Sequence, residues 1–194
     1  VFTPSVEEIY PEPDTRQFDF GALGEVMEGA HRPGHFNGVA QVVSRLFDIV
    51  RPSAAFFGQK DYQQLTIIRE LARRHYSRIE IVACPIVRES DGLAMSSRNR
   101  RLLPHHRERA GEIYRTLIAA AAMASDFEPS EIRDFVADRI NMIPDFRLEY
   151  FEIVEDETLR PVTSLWEISP EKSYYGCIAP VSYTHLRAHE TVLD

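Results

Sequence analysis

Cysteine is scarce in this chain, with two thiols among 194 residues, so no disulfide framework organises the fold. Cys84 and Cys177 each sit inside an apolar run that reads as a strand, which predicts buried free thiols and suits a reducing cytoplasm. No apolar stretch approaches the roughly 18 residues that a membrane span needs, and the longest candidate, residues 117–124, is short and alanine-rich. A basic excess is missing too. Asp and Glu number 30 against 22 Lys and Arg, for a net charge of −8. That balance repels a nucleic-acid backbone, so any anionic ligand must be met by a local positive site. Internal repeats and low-complexity tracts are absent. So are an initiator Met and a charged-then-apolar leader. The opening residues, Val1-Phe2-Thr3-Pro4, read as a strand cut in half, which predicts a fragment of a longer chain.

The remaining composition, 44% apolar and 27% charged, is that of a globular protein with room for one large domain or two modest ones. Over residues 35–50 the side chains Phe36, Val39, Val42, Val43, Leu46, Ile49 and Val50 recur at three- and four-residue spacing, which predicts a helix ended by Arg51-Pro52. Residues 54–57 form a short apolar run between Pro52 and Gly58, expected as a strand buried on both faces. A second helix is expected from Asp61, a good N-cap, with Leu65, Ile68, Leu71 and Ala72 inward. A strand follows over 79–84. Helix, strand, helix, strand at these intervals predicts a parallel sheet with crossover helices, and ligands on such sheets sit beyond the carboxyl ends of the strands.

After Pro85 the texture changes. A polar loop over 88–101 leads to helices expected at 104–124 and 130–142, then to strands at 146–154 and 173–179, a small α+β unit. The pattern divides the chain into a parallel-sheet domain over 1–86, an α+β domain over 87–180 and a tail over 181–194. The tail reads as a read-through or scar outside the fold. His185 and His189, four residues apart within it, would share a helix face, but without a third ligand they read as uncoordinated, and no metal site is expected.

The loop 58–61 lies where an α/β sheet does its chemistry. Gly58 permits close backbone approach, and a helix N-terminus beside it attracts phosphate. Lys60 there can meet the charge of a nucleotide's phosphates; a solvated surface lysine is the plainer alternative. Ser96 and Ser97 offer hydroxyl and backbone donors, and Arg98 adds a forked cation, although Ser-Ser-Arg-Asn also fits a polar turn with a helix cap. Asp91-Gly92 favours a tight turn in either case. His31, Arg32 and His35 flank Pro33-Gly34 at the head of a helix and are expected to order a site rather than catalyse.

Four ordered motifs, EGAHRPGHFNGV over 28–39, FGQKDYQQ over 57–64, PIVRE over 85–89 and DGLAMSSRN over 91–99, resemble the pantothenate synthetase family from Val1 to about Ala179. The resemblance implies a Rossmann-like α/β fold, the C-terminal half of a nucleotidylyl transferase domain followed by a small α+β domain, and with it that the domain over 1–86 is a partial nucleotide-binding domain. It implies ATP-dependent condensation of pantoate with β-alanine through a pantoyl adenylate, with Mg2+, in a cytoplasmic homodimer. Carried onto this sequence, ATP binding falls on Gly58, Gln59, Lys60, Asp61, Val87, Met95, Ser96, Ser97 and Arg98. Lys60, Ser96, Ser97 and Arg98 then act catalytically, and pantoate binding falls on Gln64. Gln64 lies one helical turn beyond Lys60, and its amide both donates and accepts, as a hydroxy acid requires. Val42, Val43 and Leu46 either line a pantoate pocket or pack as core, core being the default.

The paired histidines and the Mg2+ ligands that the resemblance implies lie upstream of Val1, so the isolated chain is expected to turn over feebly or not at all. Two alternatives stay open: another nucleotidylyl transferase, for which a cation would be expected in place of Gln64, and a non-catalytic nucleotide-binding module.

Overall fold

Spacing and turn chemistry place each element. The computed structural model describes residues 1, 3–182, 186–187 and 190–192, the last two segments as backbone only. The chain divides into two compact units: Val1–Phe57 with Gln63–Cys84, and Gly58–Tyr62 with Pro85–Asp194.

In the first unit, helix α1 (Val6–Ile9) starts on a reciprocal cap. Glu8 N donates to Ser5 Oγ, and Ser5 N donates to the Glu8 carboxylate at 2.7 Å. Helix α2 (Met27–His31) and helix α3 (His35–Val50) are separated by a turn in which Gly34 takes φ 79°, a left-handed conformation that suits glycine. Strand β1 (Ala54–Gly58), helix α4 (Tyr62–His75) and strand β2 (Glu80–Cys84) follow. Glu80 N donates to Ser53 O at 2.9 Å, joining the starts of β1 and β2, so the two strands run parallel and α4 is their crossover.

The core of this unit gathers Phe20, Phe36, Ala40, Phe47, Ile68 and Leu71, with Ala55 and Phe57 of β1 packed against it. Two expectations change here. The buried stripe of α3 is Phe36, Ala40, Ser44 and Phe47, whereas Val42, Leu46, Ile49 and Val50 are exposed. Small side chains at 40 and 44 let the helix approach its neighbours closely, a signal that counting large apolar residues misses. Core packing is therefore not the role of Val42 or Leu46; Val43 does pack on the cluster. Nor is β1 buried on both faces, because Phe56 is 68% exposed. Ala55 and Phe57 point one way onto the helices and Phe56 the other, as the pleat requires.

In the second unit a tight hairpin, with Arg88 bridged to Ala94, precedes a 3-10 turn (Ser97–Arg101), helix α5 (Pro104–Met123) and helix α6 (Pro129–Asn141). Strands β3 (Phe146–Glu155) and β4 (Tyr174–Ser182) pair antiparallel, with a bulge between Leu148 and Tyr150. Strands β5 (Leu186–Arg187) and β6 (Glu190–Val192) both pair with β4, so part of the tail is taken up by this sheet; His185 and His189 lie outside the described residues. Ile113 and Leu117 of α5, Val136 and Ile140 of α6, and Phe151 and Ile178 of the sheet form the core. Trp166, in a 3-10 turn over Leu165–Glu167, is 94% exposed. Cys84 is half-buried, Cys177 is buried, and neither is part of a disulfide. Among the described residues no helix is long and apolar enough to cross a membrane.

Candidate active site

Two segments of the second unit carry most of the groups singled out in the sequence. The first leaves β1. Gly58 has φ −73° and ψ 135°, an extended conformation open to any residue, and a Cβ there would meet nothing within 4 Å. Its contribution is open space, not a special dihedral. Gln59, Lys60 and Asp61 form a 3-10 turn that runs directly into α4. The Lys60 side chain is 20% exposed, with Nζ 3.8 Å from Asp61 Oδ1. Tyr62 anchors this turn: its buried phenol donates to Asp156 and its ring centroid lies 4.3 Å from that of Tyr175. Burial, and then the Asp156 carboxylate, push the phenol pKa well above its ordinary range.

The second segment is the hairpin over 87–95. Met95 N donates to Val87 O, and Glu89 N to Leu93 O, both at 2.8 Å. Val87 and Met95 therefore stand together at its open end, 63% and 57% exposed, two apolar side chains suited to the face of a purine. At the other end Gly92 takes φ 89°, with the Tyr114 ring pressed against its Cα. Arg88 lies 4.2 Å over that ring and donates to Gly92 O at 2.9 Å. Beyond the hairpin, Ser96 caps the 3-10 turn, its Oγ accepting from Arg98 N at 3.2 Å, which leaves its own hydroxyl hydrogen available to donate. Ser97 and Arg98 are exposed.

A charged brace holds this segment, and the sequence reading missed most of it. Asn99 Nδ2 donates to Glu89 Oε1 at 2.6 Å and to Ala94 O at 3.0 Å. From α5, Arg107 donates to Glu89 Oε2 at 2.6 Å and to Asp91. Asn99, then Arg107, hold the Glu89 carboxyl below its ordinary pKa; Arg107 does the same for Asp91. Nothing periodic marks Arg107 in the sequence. The one available signal was the pair of carboxylates on either side of a tight turn, which need a cation once they come close.

In the first unit the two glutamines of α4 have different surroundings. Gln63 is buried, with Nε2 donating to Leu23 O and Val26 O at 2.8 Å and Oε1 accepting from Glu28 N at 3.0 Å. Gln64 is half-buried. Nearby, Arg32 pairs with Glu28 at 2.9 Å and lies 3.4 Å from His35 Nε2. Burial first, and Arg32 second, lower the His35 pKa. A histidine kept neutral beside an arginine fits an ordering role for this turn. Lys60, Ser96, Ser97 and Arg98 thus belong to one compact unit and Gln64 to the other. The first set combines cations with hydroxyl and backbone donors, the chemistry that polyphosphate recognition needs.

The family model for Pantoate-beta-alanine ligase matches residues 1–186. A pantothenate synthetase of Bacteroides fragilis (strain YCH46) is 56% identical over 178 residues, which cover 91% of this chain and 62% of that protein. The chain therefore spans less than two thirds of the length of this relative. The crystal structure of a pantoate-beta-alanine ligase (pantothenate synthetase) from Thermus thermophilus is similar at TM-score 0.88 and 39% identity, covering 98% of this chain and 68% of that one. A pantoate-beta-alanine ligase from Francisella tularensis, solved complexed with beta-gamma ATP and beta-alanine, shares the fold at TM-score 0.71 and 24% identity, over 96% of this chain and 61% of that one.

Proposed function

Because this chain belongs to the pantoate-beta-alanine ligase family, we propose that it supplies the phosphate-holding part of an enzyme that condenses pantoate with β-alanine at the expense of ATP. The pantoate carboxylate attacks the α-phosphorus, pyrophosphate leaves, and the β-alanine amine then attacks the pantoyl adenylate to release pantothenate and AMP. Mg2+ enters with the nucleotide, held by its phosphates. No covalent bond to the protein forms, so catalysis is positioning and charge stabilisation.

Lys60 and Arg98 offset the growing charge on the phosphates, and Ser96 and Ser97 donate to their oxygens. Gly58, Gln59 and Asp61 line the nucleotide's approach. Val87 and Met95 cover the base, and Gln64 holds pantoate through an amide that matches a hydroxyl and a carboxylate at once. The same reading extends to a homodimer working in the cytoplasm.

The observation that carries this reading is the presentation of Ser96, Ser97 and Arg98 on the 3-10 turn that follows the hairpin, a segment braced by Asn99, Glu89 and Arg107, in the same unit as Lys60. Calorimetry with ATP tests it. Lys60→Ala and Arg98→Ala are each expected to weaken binding by about tenfold or more, on the order of 1.4 kcal/mol, with little change in melting temperature. Pyrophosphate release that requires pantoate, measured in a chain that also carries the paired histidines the resemblance implies, tests the reaction. Unchanged ATP affinity in both variants would remove this segment from the site.

A further inference from the structure

The start of α5 gathers groups that the adenylation chemistry leaves unused. His105 and His106 follow Pro104 in its first turn, and Asp145 immediately precedes β3. His106 Nε2 lies 3.4 Å from Asp145 Oδ2 and His105 Nε2 3.9 Å from the same oxygen. One ligand atom from each of the three residues falls within 4.8 Å of the others. We propose that His105, His106 and Asp145 bind a divalent first-row transition-metal ion of the Zn2+ kind, tying the head of α5 to the turn before β3.

The donor set and its spacing support this. With metal–ligand bonds of about 2.0–2.1 Å, the corners of a tetrahedral site lie roughly 3.3 Å apart, so the two edges to Asp145, 3.4 and 3.9 Å, need a small closure, and the edge between the imidazoles, within 4.8 Å, closes by up to about 1.5 Å through rotation of the half-exposed His105 ring. Two imidazoles and a carboxylate suit Zn2+, Co2+ or Ni2+ and not the hard, all-oxygen ions. His106 is 3% exposed, and its Nδ1 lies 2.9 Å from Ser182 Oγ, the kind of outer contact that orients a ligating ring. The His105 and Asp145 side chains are 52% and 47% exposed, giving an ion access and a water a place as fourth ligand. Asp145 is fixed in a left-handed conformation at φ 69°, so its carboxylate is presented by a defined turn.

Two positive features oppose the ion and set a modest affinity. One is the N-terminal end of the α5 dipole. The other is Arg109, whose Nη1 lies 3.8 Å from Asp145 Oδ2. Arg109 is 43% exposed and swings into solvent when the ion takes the carboxylate.

Calorimetric titration of the 194-residue chain with Zn2+, and with Co2+ to read the ligand-field spectrum of a four-coordinate ion, tests the site. One equivalent is expected to bind and to raise the melting temperature. Asp145→Asn keeps a side chain tolerant of the left-handed backbone, and His105→Gln alters a half-exposed position, so both should fold. Each is expected to weaken Zn2+ binding by about 100-fold and to abolish the thermal shift. Absence of saturable binding overturns the proposal. So does binding that survives both variants, or that disappears only when His185 and His189 are replaced; the three groups would then be an ion-pair cluster around Asp145.

Discussion

Asn99 donates its side-chain amide to Glu89 Oε1 at 2.6 Å, and through that bond the segment bearing Ser97 and Arg98 is fixed to the hairpin before it. Asn99→Ala removes a bond to a charged acceptor, worth about 1.5–3 kcal/mol, from the base of the proposed phosphate segment. ATP affinity is expected to fall by about tenfold, while the melting temperature drops by only a few degrees. Asn99→Asp, which sets two carboxylates face to face, should do more damage than alanine. Calorimetry with ATP decides the matter, and an unchanged affinity in Asn99→Ala would separate the brace from nucleotide binding.

The adjacent glutamines make a sharper pair. Gln63→Ala deprives Leu23 O, Val26 O and Glu28 N of their side-chain partner. Unmet buried polar groups cost about 1–3 kcal/mol each in such settings, so urea unfolding should show a clear loss of stability. Gln64→Ala is expected to leave the unfolding curve nearly unchanged and to weaken pantoate binding. Equal stability losses in the two variants would contradict the division of roles.

Gly92 cannot be replaced quietly. A Cβ there would lie 2.7 Å from Tyr114 Cε1 and Cγ, on a backbone at φ 89°. The strained backbone alone costs on the order of 1–3 kcal/mol, and the ring must shift as well. Gly92→Ala should therefore lower unfolding stability by at least that amount. Gly58→Ala, with open space and ordinary dihedrals, should barely change it, and comparable losses at both positions would defeat this account.

Acid sensitivity follows from Asn99 and Arg107 at Glu89 and from Arg107 at Asp91. Glu89 and Asp91 both have folded pKa values below their ordinary values of 4.5 and 3.8. A carboxyl depressed in the folded state contributes stability that is fully present above its unfolded pKa and is lost as pH falls through the folded one. Unfolding free energy should thus decline as pH drops below about 5. In Arg107→Met the decline should be shallower, because the cation that lowers both groups is gone. An identical pH profile in wild type and variant would remove Arg107 as the cause.

Much of the backbone course was legible because it rests on local rules. Pro52 and Gly58 bracket β1, Pro104 opens α5, and Asp91-Gly92 makes the hairpin turn. Side-chain partnership was less so. Nothing in the order Gln63-Gln64 tells which faces the core, since that depends on where Leu23 and Val26 bring their carbonyls. Arg107 was invisible because its carboxylates lie across a hairpin and a 3-10 turn. On α3, Ala40 and Ser44 carry the buried face through their smallness, while Val42 and Leu46 look like core and stand in solvent. Local chemistry fixes elements; long-range approach decides what each side chain does.

Trp166 is the sole tryptophan of the chain and is 94% exposed. Its indole already experiences water in the folded protein, so its emission will hardly change colour when the chain unfolds. Intrinsic tryptophan fluorescence is therefore nearly blind to global denaturation here, and the unfolding experiments above call for circular dichroism. The same indole becomes a low-background optical probe: a blue shift would report a molecule covering that corner of the second unit while leaving the folding equilibrium out of the signal.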